Sequence, residues 1–143
     1  MSLVGRREGS NVIVRIDHKL EEPLYLQIRS QIVAAIARGE LVSGQALPSI
    51  RSLASDLGVN LHTVNKAYAV LRDEGYVLMR GRSGAHIADP REEDRADRTR
   101  VELSKMEDVL FEQALAHRAR GGSRDEFLEC AQAQAARAYG ADE

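Results

Sequence analysis

The sequence predicts a mostly α-helical chain with a small β-sheet, built in two parts. Three observations carry this expectation. Residues 47–74, LPSIRSLASDLGVNLHTVNKAYAVLRDE, read as two short helices joined by a tight turn. Residues 76–88 read as a short β-hairpin with a basic tip. From residue 89 onward the chain turns charge-dense and keeps helical spacing only. A helix, then a helix pair, then a basic-tipped hairpin describes a winged helix-turn-helix, and the remainder reads as a two-helix unit.

Asn11 to Asp17 alternates Val12, Val14 and Ile16, which predicts a brief strand; residues 1–10 are expected to be disordered. Pro23 suits the first position of a helix, where its missing N–H costs nothing. Leu24, Ile28, Ile32 and Ile36, with Val33 between, give an apolar stripe to about Arg38, and Ser43-Gly44 then makes a turn. Ser49 is a suitable N-cap, because its hydroxyl can accept a free backbone N–H. Ile50, Leu53, Ala54 and Leu57 follow at helical spacing, and Gly58 stops that helix. Asn60 caps the next one, whose apolar face is Leu61, Val64, Ala67, Tyr68 and Leu71. Its polar face is His62, Thr63, Asn65, Lys66 and Arg72. Tyr76–Met79 and Ala85–Ala88 are the expected strands around the tip RGRSG. The core then requires Ile28, Ile32, Leu53, Leu57, Val64, Leu71 and Val77 to meet.

In the second part, Asp89 as a cap, Pro90 at the first helical position and Glu92 at the third predict a solvated helix start. The helix runs through Val101–Ala119 with a narrow seam of Leu103, Met106, Leu110 and Ala114, and Gly121-Gly122 breaks it. Ser123-x-x-Glu126 is a capping box that opens a last helix. Phe127, Ala131, Ala135 and Ala138 face one way, with Leu128 and Tyr139 flanking, and Cys130 is expected to be a small buried hydrophobe. So narrow a seam holds too little core for a hairpin to fold alone. Two copies packed across a two-fold axis would bury it. The expected dimer interface is therefore Leu103, Met106, Leu110, Ala114, Phe127, Ala131 and Ala135.

Composition narrows the class. Across 143 residues, 43% are hydrophobic and 29% charged, as in a water-soluble chain with one core and an appendage. No apolar run approaches the ~20 residues of a membrane span, and the first residues lack the apolar stretch of a signal peptide. One cysteine cannot form an internal disulfide, so a cytoplasmic location is expected. The net charge of −2 hides a split. Residues 1–88 carry 11 Lys and Arg against 8 Asp and Glu, whereas residues 89–143 carry 9 against 14. A mildly basic module joined to an acidic one fits a nucleic-acid domain with a separate partner domain. Catalysis finds no support: His18, His62, His86 and His117 are scattered without metal-ligand spacing, and GRSG lacks the Gly-Lys-Ser/Thr of a phosphate loop. No metal, cofactor or membrane partner is expected.

Pro23 to Ile87 resembles the winged-helix DNA-binding domain of the GntR family of bacterial transcription repressors. The matching elements are PLYLQI at 23–28, the A-x-G-x-L-x-x-G-x-x-LPS stretch at 37–49, Arg51-x-Leu53-Ala54, LGVN at 57–60, Thr63-Val64, Ala67-Tyr68, and the run from Leu71 through Glu74-Gly75-Tyr76 to Arg80-Gly81-Arg82-Ser83-Gly84. The preceding strand VIVRID and the short second part point to the YtrA-like branch, in which the tail is a two-helix dimerisation unit. The chain is thus expected to divide into a disordered N-terminus at 1–10, a winged-helix DNA-binding domain at 11–88 and a helical dimerisation region at 89–143. The sequence departs from the family pattern at Leu61, often Pro, and at His62, often Asn.

The second helix of such a pair enters the major groove with its N-terminal residues at base edges. Here these are Leu61, His62, Asn65 and Lys66. Lys66 can pair with guanine O6/N7 or with a phosphate, Asn65 can bond adenine, and Leu61 has the apolar reach for a thymine methyl. Arg51 resembles the family's base-contacting arginine, and its fork suits bidentate guanine readout. Ser49 and Thr63 lie in first turns, where free N–H groups attract phosphate. Arg82 and Gly84 lie in the wing, where an arginine can enter a narrow minor groove and a glycine allows close approach; Arg80 is a further phosphate candidate. The expected partners are double-stranded DNA and a second copy of the chain, and the sequence specifies no small-molecule effector. The competing reading is a winged helix used for protein–protein contact without DNA, which would need an exposed apolar face on the second helix.

Overall fold

A computed structural model describes residues 2–7, 10–89 and 95–140 of the chain. The chain divides into two compact units, residues 1–90 and 91–143. In the first, β1 (Ser2–Arg7) and β2 (Ser10–Arg15) precede α1 (Leu24–Ala37), α2 (Ile50–Leu57) and α3 (Leu61–Asp73). The wing follows as β3 (Val77–Met79), a single 3-10 turn at Gly81–Ser83, and β4 (Ala85–Ile87). The second unit holds α4 (Arg95–Ala119) and α5 (Arg124–Tyr139).

The expected core forms. Ile28, Ile32, Leu53, Leu57, Val64, Leu71 and Val77 are all buried in one cluster, which Val14 and Ile16 join from β2 and the residue after it. Both α2 and α3 begin where the sequence offers a cap, whereas α1 follows Pro23 with no side-chain cap bond. The N–H of Ser52 donates to Ser49 Oγ at 3.0 Å, and that of His62 donates to Asn60 Oδ1 at 2.8 Å. Gly58 closes α2 at φ 66°, a left-handed conformation that a side chain would strain. Tyr68 lies in the core and donates its hydroxyl to the Pro48 carbonyl at 2.8 Å, tying the middle of α3 to the start of α2. Burial pushes its phenol well above the ordinary tyrosine range, so the hydroxyl stays a donor.

Three expectations need correction. Residues 1–10 were expected to be disordered, yet Ser2–Arg7 pairs antiparallel with β2, in register Leu3↔Val14 and Val4↔Ile13. The open backbone edge of the VIV strand supplies hydrogen bonds that composition does not reveal. Leu61 is not part of the buried face of α3; it is 43% exposed, at the helix end beyond the reach of the core. Cys130 is exposed, because α5 meets α4 only near their bend and the cysteine lies past it. The Ser43-Gly44 turn forms as expected, and the chain around it bonds to β4. Gly44 and Leu47 donate their N–H groups to Ile87 and Ala85 carbonyls at 2.8 and 2.9 Å, and Ala46 bridges His86. The expected helix start at Pro90 to Glu92 lies outside the described residues.

One buried polar side chain joins these parts. Gln27, only 3% exposed, accepts from the Asp17 N–H at 2.9 Å and donates to the carbonyls of Asp17 and Glu22, each at 2.9 Å. One turn later Gln31 does the same with both backbone groups of Arg15, at 2.7 and 2.6 Å. Two amides at i and i+4 on α1 thus complete the backbone pairing of the strand region at i and i+2. Gln27→Met keeps the volume and deletes the bonds. It is expected to lower unfolding free energy by about 1–3 kcal/mol, read from the urea midpoint.

In the second unit, the capping box forms as the spacing predicts. The Ser123 N–H donates to Glu126 Oε1 at 3.2 Å, and the Glu126 N–H donates to Ser123 Oγ at 3.1 Å. Gly122 lies beneath the His117 ring, which would have to swing aside for a Cβ there. Hydrogen bonds with Ser123 hold the Glu126 carboxylate below its ordinary range, with His117 adding a smaller effect. A depressed carboxylate contributes stability above its unfolded value of about 4.3 and loses it as pH falls through the lower folded value. The stability gap between wild type and Glu126→Gln should therefore narrow from pH 6 to pH 3, as followed by helical circular dichroism during urea unfolding; a constant gap would remove the carboxylate from the cap.

Candidate nucleic-acid interface

Every residue expected to touch DNA lies in the first unit, on α2, α3 or the wing. Ser49 caps α2, and Arg51 is the second residue of that helix, exposed. Among the described residues Arg51 has no ion pair or side-chain hydrogen bond, so its guanidinium is available to an outside acceptor. On α3, Leu61, His62, Asn65 and Lys66 are exposed, whereas Thr63 is half-buried and so less available. The burial of Val64, Ala67, Tyr68 and Leu71 on the opposite side fixes which way this polar face points.

The wing is short but well tied. Its strands pair Val77↔Ile87 and Met79↔Ala85. The Arg80 N–H donates to the Gly84 carbonyl at 2.9 Å, and Ser83 Oγ donates to the Arg80 carbonyl at 2.7 Å. His86 spans the sheet, with Nδ1 3.3 Å from the Gly44 carbonyl and Nε2 3.1 Å from that of Ser83. Gly84 turns the chain at φ 81°, a conformation open to glycine. Arg80 and Arg82 are exposed at this fixed tip.

Arg72, on the polar face of α3, is already engaged with Asp73 at 3.2 Å. Arg29 of α1 pairs with Glu74 and lies 5.7 Å from the Tyr76 ring centroid, bracing α1 against the end of α3 and the start of the wing. Lys66 is engaged too: its Nζ sits 4.1 Å from the centroid of the Tyr25 ring on α1. The sequence reading missed Tyr25. Its only signal was an aromatic residue off the apolar stripe of α1, next to Leu24. Among the described residues no group of His, Cys, Asp or Glu could hold a metal ion, and no helix is long and apolar enough to cross a membrane.

Helix-turn-helix and wing together define the winged-helix class of DNA-binding domain. The comparisons carry this to a family. "Bacterial regulatory proteins, gntR family" matches residues 24–87. YtrA from Sulfolobus acidocaldarius, a GntR-family transcription factor of known structure, is 43% identical, with 72% of this chain and 97% of that one covered and a TM-score of 0.58. The HTH-type transcriptional regulator Rv1152 of Mycobacterium tuberculosis (strain ATCC 25618 / H37Rv) is 40% identical over 75 residues, 52% of this chain and 62% of that protein. The HTH-type transcriptional repressor YtrA of Bacillus subtilis (strain 168) is 37% identical over 78 residues, 54% of this chain and 59% of that protein. The chain thus spans less than two thirds of these two curated relatives. It belongs to the GntR family, with YtrA-like members among its relatives.

Proposed function

We propose that the chain is a sequence-specific DNA-binding transcriptional regulator of the bacterial cytoplasm, acting as a repressor on a two-fold operator as a homodimer. The observation that carries the DNA half is the uncovered polar and basic face of α3, with Arg51 before it and Arg82 after it both exposed. In this reading α3 enters the major groove with His62 and Asn65 at base edges and Lys66 near a base or a phosphate. Arg51 offers its fork to a guanine, and Arg82 at the wing tip meets the minor groove or a phosphate. Repression is supported by the name of the Bacillus subtilis relative. A protein-docking winged helix would want an apolar α3 face, and Leu61 is the lone large apolar side chain exposed there. Arg51→Ala is expected to cost about 1–3 kcal/mol on a selected operator and to relax base preference. Arg82→Ala should weaken binding on most sequences and lower the salt slope by about one. Fluorescence anisotropy on selected and random duplexes separates the two; equal loss on both for Arg51→Ala would mean that it reads no base.

The homodimer rests on the second unit. Leu103, Met106, Val109, Leu110 and Leu115 are about half exposed, and Phe111 is 65% exposed. No residue of α5 is buried, and among the described residues of this unit half-burial is confined to Ala114, Ala116, His117, Gly122 and Phe127 at the bend. So many exposed large apolar side chains on one helix fit a surface that a second copy covers. Ala131 and Ala135 on α5 allow close helix approach there. Sedimentation of the full chain should give a dimer, and Leu103→Glu with Leu110→Glu should give a folded monomer; an unchanged dimer would move the interface elsewhere.

A further inference from the structure

Lys66 is the one lysine of α3, and it does not project freely. Its ammonium lies 4.1 Å from the Tyr25 ring centroid, the geometry of a cation–π contact. Tyr25 is half-buried and packed against the core, so the ring is a fixed platform supplied by another helix. Among the described residues no carboxylate pairs with Lys66, so its charge is not neutralised within the chain. The contact draws Lys66 toward α1, whereas Asn65 points about 100° further round α3. The flank of a groove-bound helix runs beside the phosphate backbone. An ammonium has three donors and no fork. Resting on a ring leaves donors for an anion, and a point charge suits a phosphate better than a two-pronged base edge.

We propose that Tyr25 and Lys66 form a phosphate clamp, in which the Tyr25 ring holds the Lys66 ammonium ready for a DNA backbone phosphate, so that Lys66 is a backbone contact and Tyr25 its positioning residue. The clamp rests on the DNA-binding reading above. The flexible lysine stem is ordered before DNA arrives, and the entropy of ordering it is not charged to binding. Asn65, His62 and Arg51 are then left as the base readers.

The test uses the full chain and fluorescence anisotropy on a random-sequence duplex and on sites selected from a randomised pool, over a salt series. Lys66→Ala should weaken binding to both alike, lower the salt slope by about one and leave the selected sequence unchanged. Tyr25→Leu should weaken binding about two- to five-fold, Tyr25→Phe should bind as wild type does, and Tyr25→Leu should add nothing in the Lys66→Ala background. A changed selected sequence for Lys66→Ala would make it a base reader and overturn the clamp. Equal losses for Tyr25→Phe and Tyr25→Leu would assign the contact to the tyrosine hydroxyl. Tighter binding by Tyr25→Leu would show that the ring withholds Lys66, and equal loss in both backgrounds would leave Tyr25 merely structural; each outcome overturns it. Lys66 is exposed, so its arm stands even if Tyr25→Leu does not fold. A wild-type chain that binds no duplex at low salt fails the DNA-binding reading itself, a result distinct from all of these.

Discussion

The first unit depends on one packing constraint: Ile28 and Ile32 of α1 share a core with Val64 and Leu71 of α3. A helix can bury one stripe only, so fixing Val64, Ala67, Tyr68 and Leu71 inward obliges His62, Asn65 and Lys66 to face outward. α2 and the wing join the same core through Leu53, Leu57, Val77 and Ile87. The side chains proposed to meet DNA therefore stand on a scaffold whose rigidity comes from apolar contacts. Loss of a core methyl group would move that outward face without touching it.

Polar bonds refine that scaffold at its seams. Gln27 and Gln31 join α1 to the end of β2, the Tyr68 hydroxyl joins α3 to the start of α2, and Arg29 with Glu74 joins α1 to the end of α3. The buried members of this set satisfy backbone groups that would otherwise be stranded. The Arg29–Glu74 pair is partly exposed and contributes little stability by itself. Its effect is one of orientation, since it also holds Arg29 against the Tyr76 ring at the root of the wing.

The second unit obeys a different balance. Its local signals are strong, with a capping box at Ser123 and a Gly122 that admits the His117 ring. Its burial is slight. Helix propensity and caps can shape α4 and α5, yet helical stability in proteins comes mainly from packing an amphipathic face. The exposed leucines and Phe111 of α4 leave that packing unfinished within one chain.

The sequence by itself determined whatever depends on near neighbours. Ser49, Asn60 and Ser123 cap because a hydroxyl or amide reaches an N–H two or three residues ahead, and Gly58 ends α2 because its own φ is positive. The buried stripes were legible for the same reason, since helical period is written in consecutive residues. Contacts between distant segments were decided by the tertiary structure. Ala46 meets His86, Gln27 meets Asp17, and Lys66 meets Tyr25 only once the core has brought their elements together. No local pattern encodes such pairs, because each partner's position is set by the apolar faces between them. The same limit explains Leu61 and Cys130, whose residue types fit an apolar face while their places along the helices leave them exposed. Periodicity says which side of a helix is apolar; how far along the helix its neighbours extend is set by packing.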